Sequence, residues 1–450
     1  MHISVSYSAL LASLAHVLSV SAQECPGALT PSYAQPVFAE GWQGNLIATG
    51  LTRPRGMQLD SKGNLLVVQQ GVGIVHLQFT DGGGTCLTLA KQTTLITDSV
   101  LNHGIGLSED GKTLYASSVD AAFSWPYDAD AITLGEKSTI VTGMTNTGHS
   151  TRTLLLSKKE PGWLILSRGS GGNIDPLAED KSTGHSQLKA FDISNGTSSG
   201  PYDFTADGRL LGWGMRNAVG VGEEPTTGGI FTVENSADDV ARSGTDIHAT
   251  NPGEEMNFVG TLSSTENQGG NYGYPNCLAV WDTDIPDIGS MTVGSQFAVD
   301  VTDQTTTVTD ATCESERVKP RLTFEPHTAP LDVKFSADGS KAFISFHGSW
   351  NSPIPVGYRV ATVDFANGQP VAAADSQTAA VDLFTNPDNT ACPSACFRPA
   401  GLFVDGTGRL YVSSDATGEI WILGPTGSAT PPATSGGRRR ARMPQLYGSL

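Results

Sequence analysis

Short apolar segments, each followed by a turn and a second apolar segment, recur along most of the chain. Six units share this pattern, with the turn built on Asp or Gly. They begin at Arg55, His103, Arg152, Gly220, Leu331 and Pro399. Apolar runs of this length that are bounded by Gly and Asp are typical of β-strands joined by tight turns. The sequence therefore predicts six pairs of antiparallel strands.

A third strand follows several of these pairs, for example residues 73–77 and 418–423. A unit of this size cannot bury its faces alone, so its repetition predicts a solenoid or a propeller. Antiparallel meanders joined by Gly-rich turns favour the propeller. We therefore expect an all-β fold, namely a six-bladed β-propeller.

The spacing of the units defines the expected domain organisation. The first three units begin about fifty residues apart, but residues 240–330 form a much longer connection between the fourth and fifth units. A stretch of that length is typical of an insertion over one face of the fold. Residues 425–450 are rich in Gly, Ser, Thr and Pro and include three consecutive arginines, which predicts a disordered tail. The propeller domain is expected to span residues 23–424.

The first 22 residues are typical of a secretory signal peptide. An apolar stretch from Ala9 to Val20 precedes small residues at the expected cleavage site, Val20-Ser21-Ala22. No later stretch approaches the roughly 20 apolar residues that a membrane-spanning helix needs. We therefore expect a secreted, extracellular protein.

All six cysteines follow the expected cleavage site, and an even count in an exported chain favours disulfides over metal ligation. Fifteen pairings are possible in principle. Proximity along the chain favours Cys392 with Cys396 and Cys277 with Cys313, which leaves Cys25 for Cys86. The sequence Asn195-Gly196-Thr197 predicts a glycosylated surface loop.

The net charge of −18 argues against nucleic acid or an anionic membrane as a partner, because both require clustered cations. Polar residues nevertheless recur at two positions of the repeat, the loop that enters each first strand and the end of each second strand. The first position includes His103, His149, Arg216, Asn217, His327 and Arg398. The second includes Arg168, Asn235 and His347.

Equivalent positions of successive blades meet at the axis of a propeller, so these side chains are expected to form one site. For any single residue, a hydrogen-bonded role in a water-filled channel is at least as good an interpretation. Taken together, arginines and histidines converging on one axis would repel each other unless an anion neutralised them. The expected ligand is therefore a compact, buried carboxylate or phosphate.

The acidic run 234–239 could bind a hard cation through carbonyl or carboxylate oxygens, although a single acidic turn is more often simply solvated. Competing catalytic motifs are not found. The chain has neither a histidine metal motif with helical spacing nor a Gly-x-Ser-x-Gly elbow.

Four segments together resemble the pyrroloquinoline quinone (PQQ)-dependent sugar dehydrogenases, and most closely the fungal pyranose dehydrogenases. The resemblance extends from about Gly50 to Leu423. The matching segments are Gly148-His149-Ser150, Gly214 to Gly220, Gly269 to Pro275, and His347 to Asn351.

This resemblance implies a role for each site residue. His149 is expected to be the general base that takes the proton from the anomeric hydroxyl of the sugar, and Arg216 to stabilise charge on the reacting quinone oxygen. A calcium ion is expected to bind the main-chain carbonyls of Ser236 and Ala237. The residues expected to hold PQQ are His103, Arg168, Asn217, His327, His347, Trp350 and Arg398.

The chain departs from the bacterial relatives at two points. Those enzymes have an acidic residue beside the base, where this chain has Arg168, so the orientation of His149 is left open. They also use a lysine on the cofactor, where this chain has His347-Gly348-Ser349-Trp350.

The resemblance implies a monomer that oxidises pyranoses to lactones and passes electrons to an external acceptor, a cytochrome or a copper oxygenase. Two alternatives are a calcium-dependent lactonase, which would need carboxylates around an axial metal, and a non-catalytic carbohydrate-binding propeller.

Overall fold

The structure, a computed structural model, describes residues 25, 27–194, 200–300 and 308–427. Their main sheets are six antiparallel meanders, and the first strand of each lies beside the first strands of its two neighbours, so the sheets close into a ring. The prediction of a six-bladed propeller is confirmed. We number the blades 1 to 6 along the chain and list their strands from the axis outward.

The first three blades follow each other directly in the sequence. Blade 1 consists of Pro54–Leu59, Leu65–Gln69, Gly73–Asp81 and Leu87–Thr97. Blade 2 consists of Leu101–Leu107, Thr113–Ser118, Ala122–Asp128 and Ser138–Thr142, with Thr133–Leu134 and Tyr202–Asp203 added at its edge. Blade 3 consists of Leu154–Leu156, Trp163–Arg168, Gln187–Asp192 and Arg209–Trp213, with Gly270–Asn271 outermost.

The last three blades contain the long connection and both ends of the ring. Blade 4 consists of Ala218–Glu223, Gly229–Glu234, Glu254–Thr261 and Leu322–Phe324. Blade 5 consists of Pro330–Phe335, Lys341–Phe346, Arg359–Ala366 and Val381–Thr385, with Gln369–Pro370 and Val37–Phe38 added at its edge. Blade 6 consists of Pro399–Val404, Leu410–Ser414, Glu419–Pro425 and Trp42–Ala48.

Short elements outside the blades complete the described part of the chain. Two small hairpins pair Ala241–Arg242 with Thr245–Asp246 and Cys277–Ala279 with Gln296–Ala298. The helical segments are the α-helix Asp310–Glu316 and the 3-10 turns Pro176–Glu179, Lys181–Thr183 and Asn389–Ala391.

The ring is closed by pairing the two ends of the domain. Trp42–Ala48, which precedes blade 1 in the sequence, pairs antiparallel with Glu419–Pro425 and so forms the outer strand of blade 6. The disulfide Cys25–Cys86 ties the segment before this strand to blade 1. Opening the ring therefore requires the loss of a whole strand pairing.

The first strands of neighbouring blades pack directly against each other at the axis. A Cβ atom on Gly56 would lie 2.3 Å from the carbonyl oxygen of His103, and one on Gly401 would lie 2.3 Å from that of Arg55. The hydroxyl of Ser413 donates a hydrogen bond of 2.8 Å to the same oxygen of Arg55. Glycine at the Gly56 and Gly401 positions thus permits the close approach that brings axial side chains together.

The hydrophobic core lies between blades rather than in one central layer. Between blades 4 and 5, for instance, five phenylalanines are buried, and each fully buried aromatic side chain stabilises the fold by about 1.5–3 kcal/mol. These five are Phe231, Phe324, Phe335, Phe346 and Phe365.

The predicted insertion requires one correction. Residues 240–330 are not all inserted, because they include the third and fourth strands of blade 4, Glu254–Thr261 and Leu322–Phe324. These strands were not predicted, because the repeat pattern covers only the first two strands of each unit. The remaining excursion contains the disulfide Cys277–Cys313, and the third disulfide joins Cys392 to Cys396, so all three predicted pairings are confirmed.

Several predictions lie outside the described residues: the signal peptide 1–22, the glycosylation site at Asn195, and residues 428–450 of the expected tail. Among the described residues, no helix combines the length and apolar character needed to cross a membrane.

Candidate active site

The two repeat positions chosen from the sequence lie at the same end of the ring. In each antiparallel sheet, the start of the first strand pairs with the end of the second, as in Pro54 with Gln69, Pro330 with Phe346 and Pro399 with Ser414. Side chains that precede first strands and follow second strands therefore meet above the axis.

His149 is held through one ring nitrogen. Its Nδ1 lies 2.8 Å from Oγ of Ser170, and this hydroxyl lies 2.6 Å from the carbonyl oxygen of Gly172. Because a hydroxyl has a single proton and Gly172 can only accept, Ser170 must accept a hydrogen bond from Nδ1–H of His149. The hydrogen-bond network thus assigns the Nδ1–H tautomer and leaves Nε2 as the basic nitrogen.

The electrostatic surroundings keep His149 neutral. Burial, and then the positive charge of Arg216, lower the pKa of His149 to about 4. A neutral imidazole with a free Nε2 lone pair is the form that accepts a proton at neutral pH.

Arg216 is fixed by several acceptors on different segments. Its Nε donates to the carbonyl oxygen of Asn173 at 3.0 Å, and its Nη2 donates to Oδ1 of the same residue at 2.8 Å. Its Nη1 donates to the carbonyl oxygen of Asn235 at 3.1 Å, and its Nη2 lies 3.3 Å from Asp238. The loop 170–173 therefore holds both predicted catalytic residues, His149 through Ser170 and Arg216 through Asn173.

Asp238 provides one of two carboxylates in the cluster. It pairs with Arg216, accepts a hydrogen bond of 3.0 Å from Asn351, and lies 3.7 Å from Nδ1 of His327. His327 also contacts the carbonyl oxygen of His248 through Nε2, at 2.6 Å. Burial alone would lower the pKa of His327, but the contacts with Asp238 and His248 outweigh it, and the pKa is raised.

A second network crosses the axis through residues of four blades. Arg55 donates from Nε to Nδ1 of His103 at 3.2 Å and from Nη1 to Asp415 at 2.6 Å. The other carboxylate oxygen of Asp415 lies 2.8 Å from Nε2 of His347. Arg398 donates to the carbonyl oxygen of His347 at 3.2 Å. We call these two networks together the axial cluster.

Several residues of this cluster were not predicted from the sequence. Arg55 opens the first repeat unit just as His103 opens the second, and Asp415 follows the sixth second strand just as His347 follows the fifth. Both could have been found by applying the repeat strictly. Ser170 and Asn173 gave no such signal, because they lie in the long connection between the second and third strands of blade 3, whose sequence the repeat does not specify.

The structure corrects the expectation that the axial arginines and histidines repel each other. Asp238 and Asp415 pair with arginines inside the cluster. Burial is the largest cause that lowers the pKa of His103 and of His347, which favours their neutral forms. The cluster is therefore partly compensated, and its charge alone does not require a bound anion.

Two predicted cofactor residues are not part of the cluster. Arg168 donates to the carbonyl oxygens of Thr145 at 2.8 Å and Thr183 at 3.1 Å, so it joins two loops instead of facing the axis. Trp350 is 73% exposed, so its ring does not line a buried site in this structure. The repeat position of a residue does not specify the direction of a long side chain, so a cofactor role for Arg168 and Trp350 stays a prediction.

Asn217 lies beside His149. A Cβ atom on Gly169 would lie 2.6 Å from Oδ1 of Asn217 and 2.8 Å from Cβ of His149. Only glycine at this position allows the two side chains to flank the same backbone.

The turn at Ser236 and Ala237 offers two carbonyl oxygens close together in the sequence. Among the described residues, none of the recorded hydrogen bonds ends on the carbonyl oxygen of either residue. Ser236 is instead anchored through its N–H, which donates to the buried carboxylate of Glu254 at 2.7 Å, and Ala329 N–H donates to the same carboxylate at 3.0 Å. Carbonyl oxygens fit a hard cation, and the described ranges contain no group of three or more His, Cys, Asp or Glu arranged for a metal.

Comparison with known proteins decides the family. Residues 36–426 match the model of the family described as TrAA12-like. The chain belongs to the TrAA12-like family. A PQQ-dependent sugar dehydrogenase of Hypocrea jecorina is 50% identical over 411 residues, which cover 90% of this chain and 93% of that protein. A PQQ-dependent pyranose dehydrogenase of Coprinopsis cinerea is 40% identical over 89% of this chain but only 56% of its own length.

Solved structures of similar proteins agree. A calcium structure of the Trichoderma reesei family AA12 enzyme superposes with a TM-score of 0.87 at 51% identity, covering 89% of this chain and 99% of that one. The holo PQQ domain of the Coprinopsis cinerea enzyme gives a TM-score of 0.82 at 38% identity, with the same coverage. The predicted resemblance to PQQ-dependent sugar dehydrogenases, and the prediction of an enzyme of this kind, are confirmed.

Proposed function

We propose that this TrAA12-like protein binds PQQ and calcium at the axial cluster and oxidises the anomeric carbon of pyranose sugars to lactones. The observation that carries the proposal is that one short loop, 170–173, holds both a neutral imidazole with a free Nε2 and a fully oriented arginine. That arrangement suits removal of a proton beside a developing negative charge.

His149 acts as the general base. Nε2 takes the proton of the anomeric hydroxyl while the hydrogen on the same carbon leaves with its electron pair, which turns the C–O bond into the carbonyl of the lactone. PQQ, when bound, supplies the acceptor for that hydride. Arg216 stabilises negative charge beside the reacting carbon, and its bonds to Asn173 fix its direction before substrate arrives.

The second network of the axial cluster suits the carboxylates of the cofactor. Arg398, Arg55 and the ring nitrogens of His103 and His347 offer charged and neutral donors close together. Asn217 lies on the same side as His149, and His327 acts through Asp238. Calcium would bind the carbonyl oxygens of Ser236 and Ala237 and would polarise the bound quinone as a Lewis acid.

We further propose that the protein is exported, works as a monomer and gives its electrons to a separate redox protein. Three disulfides fit an oxidising compartment. A cytochrome or a copper oxygenase remains our hypothesis for the acceptor.

Reconstitution tests the proposal directly. The purified protein is titrated with PQQ in the presence of calcium, and sugar-dependent dye reduction and lactone formation are measured over a panel of pyranoses. We expect activity that needs both additions, and one lactone for every two electrons that the dye takes up. The variant His149→Ala should bind PQQ but lose turnover, whereas His76→Gln, in the third strand of blade 1, serves as a histidine control. A protein that binds PQQ but oxidises no pyranose would overturn the proposal.

A further inference from the structure

Nδ1 of His149 contacts a hydroxyl, not a carboxylate. Ser170 is fully buried, and its hydroxyl is held between Nδ1 of His149 and the carbonyl oxygen of Gly172. An imidazole supported by a carboxylate gains stability when it is protonated, whereas a neutral hydroxyl gives no opposite charge.

The backbone of Ser170 is fixed at both ends. Its N–H donates to the carbonyl oxygen of Arg216 at 2.8 Å, and its own carbonyl oxygen accepts from His149 N–H at 3.0 Å and from the amide of Asn146 at 3.2 Å. The hydroxyl therefore has little freedom to change partners. Ser170 joins the base to the arginine through main-chain bonds that survive substitution of its side chain.

We propose that Ser170 is the positioning residue of this enzyme, which holds His149 in the Nδ1–H tautomer and so presents a basic Nε2 to the sugar, with no carboxylate on the Nδ1 side of the ring. This inference rests on the proposed function of His149 as the base.

The charged groups around His149 either lower its pKa or are paired with another residue. Arg216 and Arg152 lower its pKa, and Arg152 donates to the carbonyl oxygen of His149 at 2.7 Å. Asp238 raises the pKa, but its carboxylate is paired with Arg216. Ser170 is therefore the group that decides which ring nitrogen bears the proton, while the arginines keep the ring neutral.

Three substitutions separate positioning from structure. Ser170→Ala removes the acceptor, Ser170→Thr keeps a hydroxyl, and Ser170→Asp introduces the carboxylate that the position lacks. Imidazole ¹⁵N shifts report the tautomer without any substrate, and the signal of His149 is assigned by its loss in His149→Gln. Steady-state kinetics of the PQQ- and calcium-loaded enzyme give kcat, KM and their pH profiles.

In the parent protein we expect the Nδ1–H tautomer, and in Ser170→Ala a mixture of tautomers. Because general base catalysis contributes about 10²–10⁴-fold, partial loss of orientation should lower kcat by about 10–100-fold with little change in KM. Ser170→Thr should restore most of kcat. Ser170→Asp should move the acid limb of the profile upward by about 1–3 pH units.

The inference is overturned if Ser170→Ala folds, keeps the parent tautomer and keeps kcat. It is also overturned if the parent ring carries its proton on Nε2. Should Ser170→Ala not fold, Ser170→Asp decides alone, since an unmoved acid limb contradicts the inference. A parent protein with the expected tautomer but no sugar oxidation would instead refute the proposed function.

Discussion

Asp415, directly after the second strand of blade 6, lies 2.8 Å from Nε2 of His347, directly after the second strand of blade 5. Its carboxylate therefore joins two blades at the axis. Its other oxygen accepts from Arg55 of blade 1 at 2.6 Å. Burial would raise the pKa of Asp415, but the hydrogen bond from His347 and the charge of Arg55 outweigh it and lower the pKa. The carboxylate is therefore ionised and compensates the arginines of the second network.

Removing this carboxylate should destabilise the protein in a way that the cofactor reverses. Asp415→Ala leaves Arg55 buried without its partner, and losing one partner of a buried pair costs about 3–5 kcal/mol. PQQ would then supply the missing negative charge. We expect a large drop in Tm of the apo protein and a greater stabilisation by PQQ than in the parent, both measured by thermal unfolding. A stabilisation equal to that of the parent would show that Arg55 does not face the cofactor.

Asn173 should matter for turnover although we do not expect it to touch the sugar. Its side-chain oxygen accepts from Arg216 at 2.8 Å and from Asp238 N–H at 2.8 Å, and its amide donates to Asp238 O at 2.7 Å. Asn173→Ala should lower kcat by roughly 10–100-fold, because misplaced donors lose much of their electrostatic effect. The matched control is Asn64→Ala, in the first turn of blade 1. An Asn173→Ala enzyme with parent kcat would exclude this positioning role.

The low basicity of His149 sets the acidic side of the pH profile. Its pKa is lowered from 6.5 to about 4, so the ring stays neutral, and competent as a base, well below pH 6. We expect kcat/KM to stay nearly constant from neutral pH down to about pH 5 and to fall toward pH 4. The measurement is kcat/KM against pH with a dye whose reduction does not involve protons. An acid limb near pH 6.5 would indicate an unperturbed histidine.

Two buried carboxyl groups, those of Glu234 and Glu255, should make the folded protein less stable as the pH rises. Burial raises the pKa of Glu255 to about 7, and burial together with Glu255 raises that of Glu234 well above its ordinary value. The folded state therefore holds more protons than the unfolded chain, so stability falls as pH rises from about 4.5 through 7. Glu255→Gln removes the part of this loss that Glu255 contributes and should stabilise the protein by roughly 1–3 kcal/mol at pH 8 relative to its effect at pH 5. Equal effects of Glu255→Gln on Tm at both pH values would contradict a raised pKa of Glu255 in the folded protein.

The repeat explains why so much of the fold was predictable. Strand pairs that recur with Asp or Gly turns determine the blade count, and the phase of the repeat brings His103, His327 and Arg398 to one end. Blade 4 was harder, because its outer strands are separated from its inner ones by long excursions that carry no repeat signal. Ser170 was beyond reach for a different reason, since its role depends on the geometry of a single loop.

The direction of long side chains could not be predicted from the repeat, and Arg168 provides a direct test of the contacts that the structure shows. Its guanidinium donates to the carbonyl oxygens of Thr145 and Thr183, so Arg168→Met should lower Tm, because two buried acceptors lose a charged donor, and leave the affinity for PQQ within about threefold. Arg398→Met is the matched variant. Arg398 lies in the second network, and loss of a charge-assisted hydrogen bond to a carboxylate costs about 1.5–3 kcal/mol, so PQQ affinity should fall at least about tenfold. Fluorescence titration of both variants with PQQ measures the difference. Equal losses of affinity would restore Arg168 to the cofactor site.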